Sequence, residues 1–234
     1  MNHPPSAISQ KLTLIQLADS FFPSGAYTLS HGLESLVEQD KIQQPEDLSS
    51  FIQILLANKI ATCDLVALIH AYRAATTEDL EQIKQVAVQL YVRTAIETTR
   101  KTQIQSGRAL LTVAESTWQH SLLARLDRER ALKRFYCLHP VVFGAVGYTA
   151  NLGETDTALA FLHSFATGAL SAAIRLGKLG HLKAQQILLE LGPQIETAYQ
   201  TASVMRIDEM WSCTPAIDLA QMLHGKSNQR LFAS

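Results

Sequence analysis

The sequence predicts an all-α protein, a single-domain bundle of roughly ten helices spanning residues 1–234. Apolar residues recur at i, i+3 and i+4 along most of the chain, the spacing of one helical face. No run of four to eight residues alternates with period two, and no Asn-Gly or Asp-Gly hairpin signal occurs. The sequence also holds no repeat of fixed period, no low-complexity tract and no long linker.

The elements follow in order. A flexible N-terminus over 1–10 leads into a short amphipathic helix, Leu12 to Ser20. Phe21 and Phe22 end it, because Pro23 cannot extend a helix behind itself. Ser24 and Gly25 give a tight turn, with Gly25 free to take positive φ, and Thr28 or Ser30 is placed to cap the next helix, which runs to Gln39. Pro45 suits a helix start, and Glu46 and Asp47 favour the positive end of its dipole. Leu48, Phe51, Ile52, Leu55, Leu56 and Lys59 then share one face with a single polar end, and Asp64 to Ala75 continues or restarts that helix.

Thr76-Thr77 before Glu78 and Asp79 marks another start, followed by Leu80, Ile83, Val86, Ala87, Leu90 and Tyr91 on one face. Beyond Thr98 a helix ends near Trp118, and a basic helix, Leu122 to Tyr136, stops before His139-Pro140. Pro140 to Asn151 is unusually apolar and is closed by Gly153 in the manner of a C-cap. Thr157–Leu176, Leu182–Leu191, Gln194–Met205 and Pro215–His224 complete the set, ahead of a flexible tail over 225–234.

Net charge is −1 and 18% of residues are charged, against 47% hydrophobic. The chain therefore buries a substantial core, and it lacks the basic footprint that phosphate binding leaves, so nucleic acid is not expected as a partner. Cys63, Cys137 and Cys213 stand too far apart for a CxxC pair and point to a reducing compartment. MNHPPSAISQ has no secretion signal, and Thr157 to Ile174, the one uncharged candidate for a span, falls short of the ~20 mostly apolar residues needed. It reads as a buried core helix. No membrane association is expected, and the localisation is cytoplasmic.

Catalytic motifs are missing. There is no HExxH, no doubled carboxylate motif and no GxSxG elbow. Gly225-Lys226-Ser227 looks like the end of a phosphate loop, but Ala220 stands where its first glycine belongs and a helix precedes it. Of eight histidines only His31, His139 and His224 sit beside motifs; a structural role is the simpler reading, and a helical metal-dependent enzyme using those three is the alternative. No cofactor is expected. The remaining signals concern surfaces. Thr157–Leu176 keeps a thin profile through Gly168, Ala169, Ser171, Ala172 and Ala173, with Phe161 and Phe165 as anchors one turn earlier. It is a core helix or, on the other reading, a dimer face built on Phe161, Phe165 and Ala169. Arg128 to Arg134 reads as a solvated helical face with pairs such as Glu129–Lys133. The ending Arg230-Leu231-Phe232-Ala233-Ser234 either folds back on the domain or orders on a partner.

FFPSGAYTLSHGLE, TTRKTQIQSGRALL, HPVVFGAVGYTANLG and AIDLAQMLHGKSNQRLFAS, in that order, resemble the sequence blocks of the urease accessory protein F family and span nearly the whole chain. The first and last are the specific ones. The resemblance implies an all-α, dimerising protein without catalytic activity. It implies binding to a second accessory protein, called D or H in different species, and recruitment of the nickel-carrying GTPase accessory protein G and apo-urease. Gly25 and Tyr27 match the family hinge, Gly32-Leu33-Glu34 its helix start, and Arg230, Leu231, Phe232 and Ser234 the C-terminal signature implied in binding the D/H partner. His31 joins Tyr27 and Glu34 in the partner-binding set. Two departures stand out: Leu29 where many members carry an aromatic, and His224-Gly225 in place of a His-Glu pair.

Overall fold

A computed structural model describes residues 6–23 and 30–224, the last two by backbone only. Every regular element among them is helical. Helix α1 spans Ala7–Ala18, with Ser6 as its cap accepting from the Ser9 amide at 3.1 Å. It starts five residues earlier than the apolar spacing indicated, because the cap rather than the first apolar face sets its beginning. Helix α2, Leu33–Glu38, is shorter than expected. Its cap is Gly32 in the left-handed region (φ 85°), with no capping side chain; His31 before it also has positive φ (52°). Thr28 lies outside the described residues.

Helix α3, Pro45–Leu55, starts at the expected proline, and the Asp47 carboxylate accepts from the Gln43 and Gln44 amides at 3.0 and 3.1 Å. It does not end at residue 55. Leu56–Asp64 forms a nine-residue π segment that runs straight into α4, Leu65–Thr76. The long apolar helix so formed, Pro45–Thr76, is long and apolar enough to cross a membrane, as is Glu154–Arg175, so Thr157–Ile174 is not alone in that respect. Most of both is buried inside the fold, as core helices are.

Helices α5 (Leu80–Arg93, capped by Asp79), α6 (Glu97–Trp118) and α7 (Ser121–Ala131) follow. The basic helix stops five residues early, with Lys133 left-handed at φ 57°. Helix α8, His139–Thr149, ends on left-handed Asn151, and Gly153 (φ −71°) instead opens α9, Glu154–Arg175. Helices α10 (His181–Glu190), α11 (Gly192–Val204) and α12 (Pro215–His224) complete the described chain.

The centre of the bundle is α4 against α8. Leu65 to Ile69 are fully buried on the first, and residues 139–147 are buried throughout on the second. The helices touch at Gly144, where a Cβ would come within 2.2 Å of the Leu68 carbonyl oxygen. Helix α9 packs outside this pair, with Phe161, Phe165 and Ala169 turned inward at 6, 7 and 1% exposure. Arg73 of α4 ties the layers together through two hydrogen bonds to Glu154, at 2.8 and 2.9 Å, and one to the Ser203 carbonyl. Cys63 and Cys137 are buried thiols, both pushed up to about 12 by desolvation, while Cys213 is exposed.

Candidate functional site

The residues following the hinge and the last helix before the tail sit against each other. Gly32 can approach α12 only because it lacks a side chain: a Cβ there would lie 2.9 Å from Gln221 Cγ. Gln221, almost fully buried, donates through Nε2 to the His31 carbonyl at 3.2 Å and accepts from the Thr99 hydroxyl through Oε1. Thr214 and Asp218 fix the start of α12, with the hydroxyl donating to the carboxylate at 2.9 Å. Residues 31 and 32, at the start of α2, are therefore packed against α12, the last described helix.

A seam of buried polar groups lies beneath that contact, organised by the π segment. A π turn closes i to i+5, so Lys59 and Asp64, five apart, lie on one face and form a buried ion pair. Burial alone would lower the Lys59 pKa, but attraction and the hydrogen bond to Asp64 outweigh it and hold the ammonium charged. Gln103 Nε2 donates to the other Asp64 oxygen at 3.3 Å. The π segment also anchors the chain leading to α12. Cys213 N donates to the Asn58 carbonyl at 3.0 Å, Trp211 N to the Thr62 carbonyl at 3.1 Å, and the Thr62 hydroxyl to the Trp211 carbonyl at 2.8 Å.

Next to this seam a small cavity of about 50 Å³ is lined by His31, His139, Asp64, Gln103, Phe161 and Phe165, among others. His31 packs edge-on against Phe165 at 5.2 Å, and His139 lies 5.6 Å from Phe143 and 5.9 Å from Phe161. Desolvation pulls both imidazoles down to about 4, helped at His31 by Lys59 and opposed at both by Asp64, so they are neutral at physiological pH. His139 Nε2 and Gln103 Oε1 are buried without a hydrogen-bond partner among the described residues.

The sequence-predicted residues divide accordingly. His31 and His139 come together in one cavity, and the His224 side chain lies outside the described residues. No group of three or more His, Cys, Asp or Glu among the described residues is disposed to hold a metal ion. Glu34 is buried at 4% exposure on α2. Tyr27, Arg230, Leu231, Phe232 and Ser234 lie outside the described residues, as do Gly25 and Leu29. Sequence reasoning missed the linked group Lys59, Asp64 and Gln103, and Gln221 with its bonds to Thr99 and the His31 carbonyl. A signal existed: Lys59 and Asp64 are the two charged residues in a mostly apolar run from Leu55 to Ile69.

A model of the family described as UreF matches residues 42–192, which takes in the π segment, α4, α6, α8 and α9. The chain belongs to the UreF family. The match to individual UreF proteins extends well past those residues. "Urease accessory protein UreF" of Trichodesmium erythraeum (strain IMS101) is 52% identical over 229 residues, covering 98% of this chain and 99% of its own. The protein of the same name from Nostoc sp. (strain PCC 7120) is 30% identical, covering 95% of each. "Urease accessory protein UreF 1" of Brucella melitensis is 30% identical over 94% of this chain and 91% of its own. These alignments therefore run through the edge formed by α2 and α12 as well as the core, and the relatives are accessory proteins by name.

Proposed function

We propose that this chain is a non-catalytic scaffold of urease maturation in the cytoplasm. It binds the D/H accessory protein, pairs with a second copy of itself, and in that form presents sites to the nickel-carrying GTPase G and to apo-urease. Its contribution is shape and contact area, while GTP hydrolysis and metal insertion take place on its partners. The observation that carries the reading, beyond family membership, is the bond from Gln221 to the His31 carbonyl. It seats the exit of the hinge beside the root of the tail, so that Tyr27 and His31 on one side and Arg230, Leu231, Phe232 and Ser234 on the other can contribute to one partner surface. Glu34, on the first turn of α2, completes the proposed partner-binding set.

Helix α9 is the proposed pairing face. Its inner residues Phe161, Phe165 and Ala169 lock it to the core, and its outer residues His163, Thr167 and Ser171 border a groove of about 530 Å³ shared with α1. Leu159 and Ile15 of that groove are exposed, apolar positions suited to a second copy. The test is a truncation. Removing residues 230–234 should abolish co-purification with the D/H protein while the far-ultraviolet circular dichroism spectrum stays unchanged; full retention of the complex would sink the proposal.

A further inference from the structure

Helix α7 and the chain after it carry many cations, and the fold treats them in two ways. Those facing the bundle are matched: Arg125 pairs with Glu78 at 3.2 Å, Arg130 with Asp127 at 2.6 Å, and Lys84 of α5 with Glu129 at 3.1 Å. Past the end of α7, Lys133 and Arg134 are exposed and have no ion pair among the described residues. Arg108 on the outer side of α6 is in the same position. A chain with net charge −1 has thus supplied carboxylates to its inner row of cations and left an outer row unmatched.

Lys133 and Arg134 stand three and two residues before Tyr136, which belongs to a stacked aromatic pair. Tyr136, 44% exposed, stacks on Tyr91 with ring centres 4.1 Å apart and planes 18° from parallel. Arg100 lies 5.1 Å over the Tyr91 ring, and one of its nitrogens donates to the Thr94 carbonyl. Helix α6 crosses the chain carrying Tyr136 at Gly107, where a Cβ would fall 2.0 Å from the Cys137 carbonyl oxygen. Arg108 follows Gly107 and lies close enough to act on the Cys137 thiol, the residue after Tyr136. Val88 and Val92 extend the apolar strip along α5 at 44 and 62% exposure.

We propose that this face, Tyr91 and Tyr136 rimmed by Arg100, Arg108, Lys133 and Arg134, is a docking surface for an acidic protein segment that alternates carboxylates with apolar side chains. The carboxylates pair with the outer row of cations, and the apolar side chains cover the stacked rings and the valines. The surface goes beyond the scaffold reading: it uses neither the hinge nor the tail, and it assigns a second partner contact to α5, α6 and the chain after α7. Aromatic rings flanked by arginine can also stack bases, but the charge is a local row on a near-neutral chain, which favours an acidic peptide over a nucleic acid.

The test measures fluorescence anisotropy of a short labelled peptide alternating Glu with Leu, added to the full chain, with a Lys-for-Glu peptide and a thymidine oligonucleotide as controls. Binding of the Glu peptide alone is expected, weakening as ionic strength rises from about 0.05 to about 0.3 M. Arg108→Glu with Arg134→Glu, both exposed and structurally undemanding, should weaken it about tenfold or more. Tyr136→Ala should weaken it while leaving the salt dependence in place. Deleting 230–234 should leave peptide binding unchanged, which separates this surface from the tail. Failure of the Glu peptide to bind, indifference to the charge reversals, or equal affinity for the oligonucleotide would each overturn the assignment. So would a self-dimer that the charge reversals dissociate.

Discussion

Replacing Asp64 by Ala is the most direct probe of the polar seam. In the native chain Asp64 and Lys59 are 3 and 6% exposed, and Asp64 also accepts from Gln103. Removing the carboxylate leaves a buried ammonium without a counter-charge and a buried amide without an acceptor. Breaking a buried pair from one side costs about 3–5 kcal/mol, because the surviving charge keeps its desolvation penalty. Against a typical total stability of about 5–15 kcal/mol, that is about a fifth or more, equivalent in a domain of this size to a fall in Tm of about 6–20 °C. The assay is thermal and urea unfolding followed by circular dichroism. Lys59→Met combined with Asp64→Asn should recover most of the loss, since removing both charges removes the penalty along with the attraction. A loss under about 1 kcal/mol for the single variant, or no recovery in the double, would refute the description of the pair as dry and mutually dependent.

The remaining predictions address other parts of the fold. His139, held near 4 in the native state against 6.5 unfolded, makes the unfolded chain the stronger proton binder between those values. Stability should therefore fall as pH drops through that window, by about 3 kcal/mol from this residue, and His139→Phe should flatten the slope in pH-dependent melting. Gly144→Ala forces a methyl against the Leu68 carbonyl and should cost about 1–3 kcal/mol in urea titrations, with no change in sizing behaviour of the folded fraction. Phe161→Arg buries a charge in the core and should yield misfolded protein on expression. A folded monomer from that variant would instead identify Phe161 as a subunit contact.

Most of the helical architecture was legible because its signals are local. Pro45 with Asp47, Asp79, and the apolar faces of α5 and α12 each act within a turn or two of themselves. What stayed hidden depends on distant partners. Gly153 carries no local mark that separates closing one helix from opening the next, and Asn151 takes the left-handed position instead. The α7 helix ends early although its residues are good helix formers, because the following chain must turn to pack Phe135 and Cys137 inside. The site was less accessible still. His31 and His139 were grouped with His224 as a candidate metal set, but only the fold shows that the two share a cavity with Asp64 and Gln103, and only the π segment, which no spacing rule detects, brings Lys59 over Asp64.

The disposition of the three cysteines has a practical side. Two thiols are buried and raised to about 12, so at neutral pH they are protonated and screened from electrophiles. Maleimide labelling of the unaltered chain should therefore stop at one position, Cys213. That residue's amide is bonded to the π segment and lies just ahead of α12. A dye placed there would report, without any engineered mutation, on whether the C-terminal helix shifts when a partner arrives.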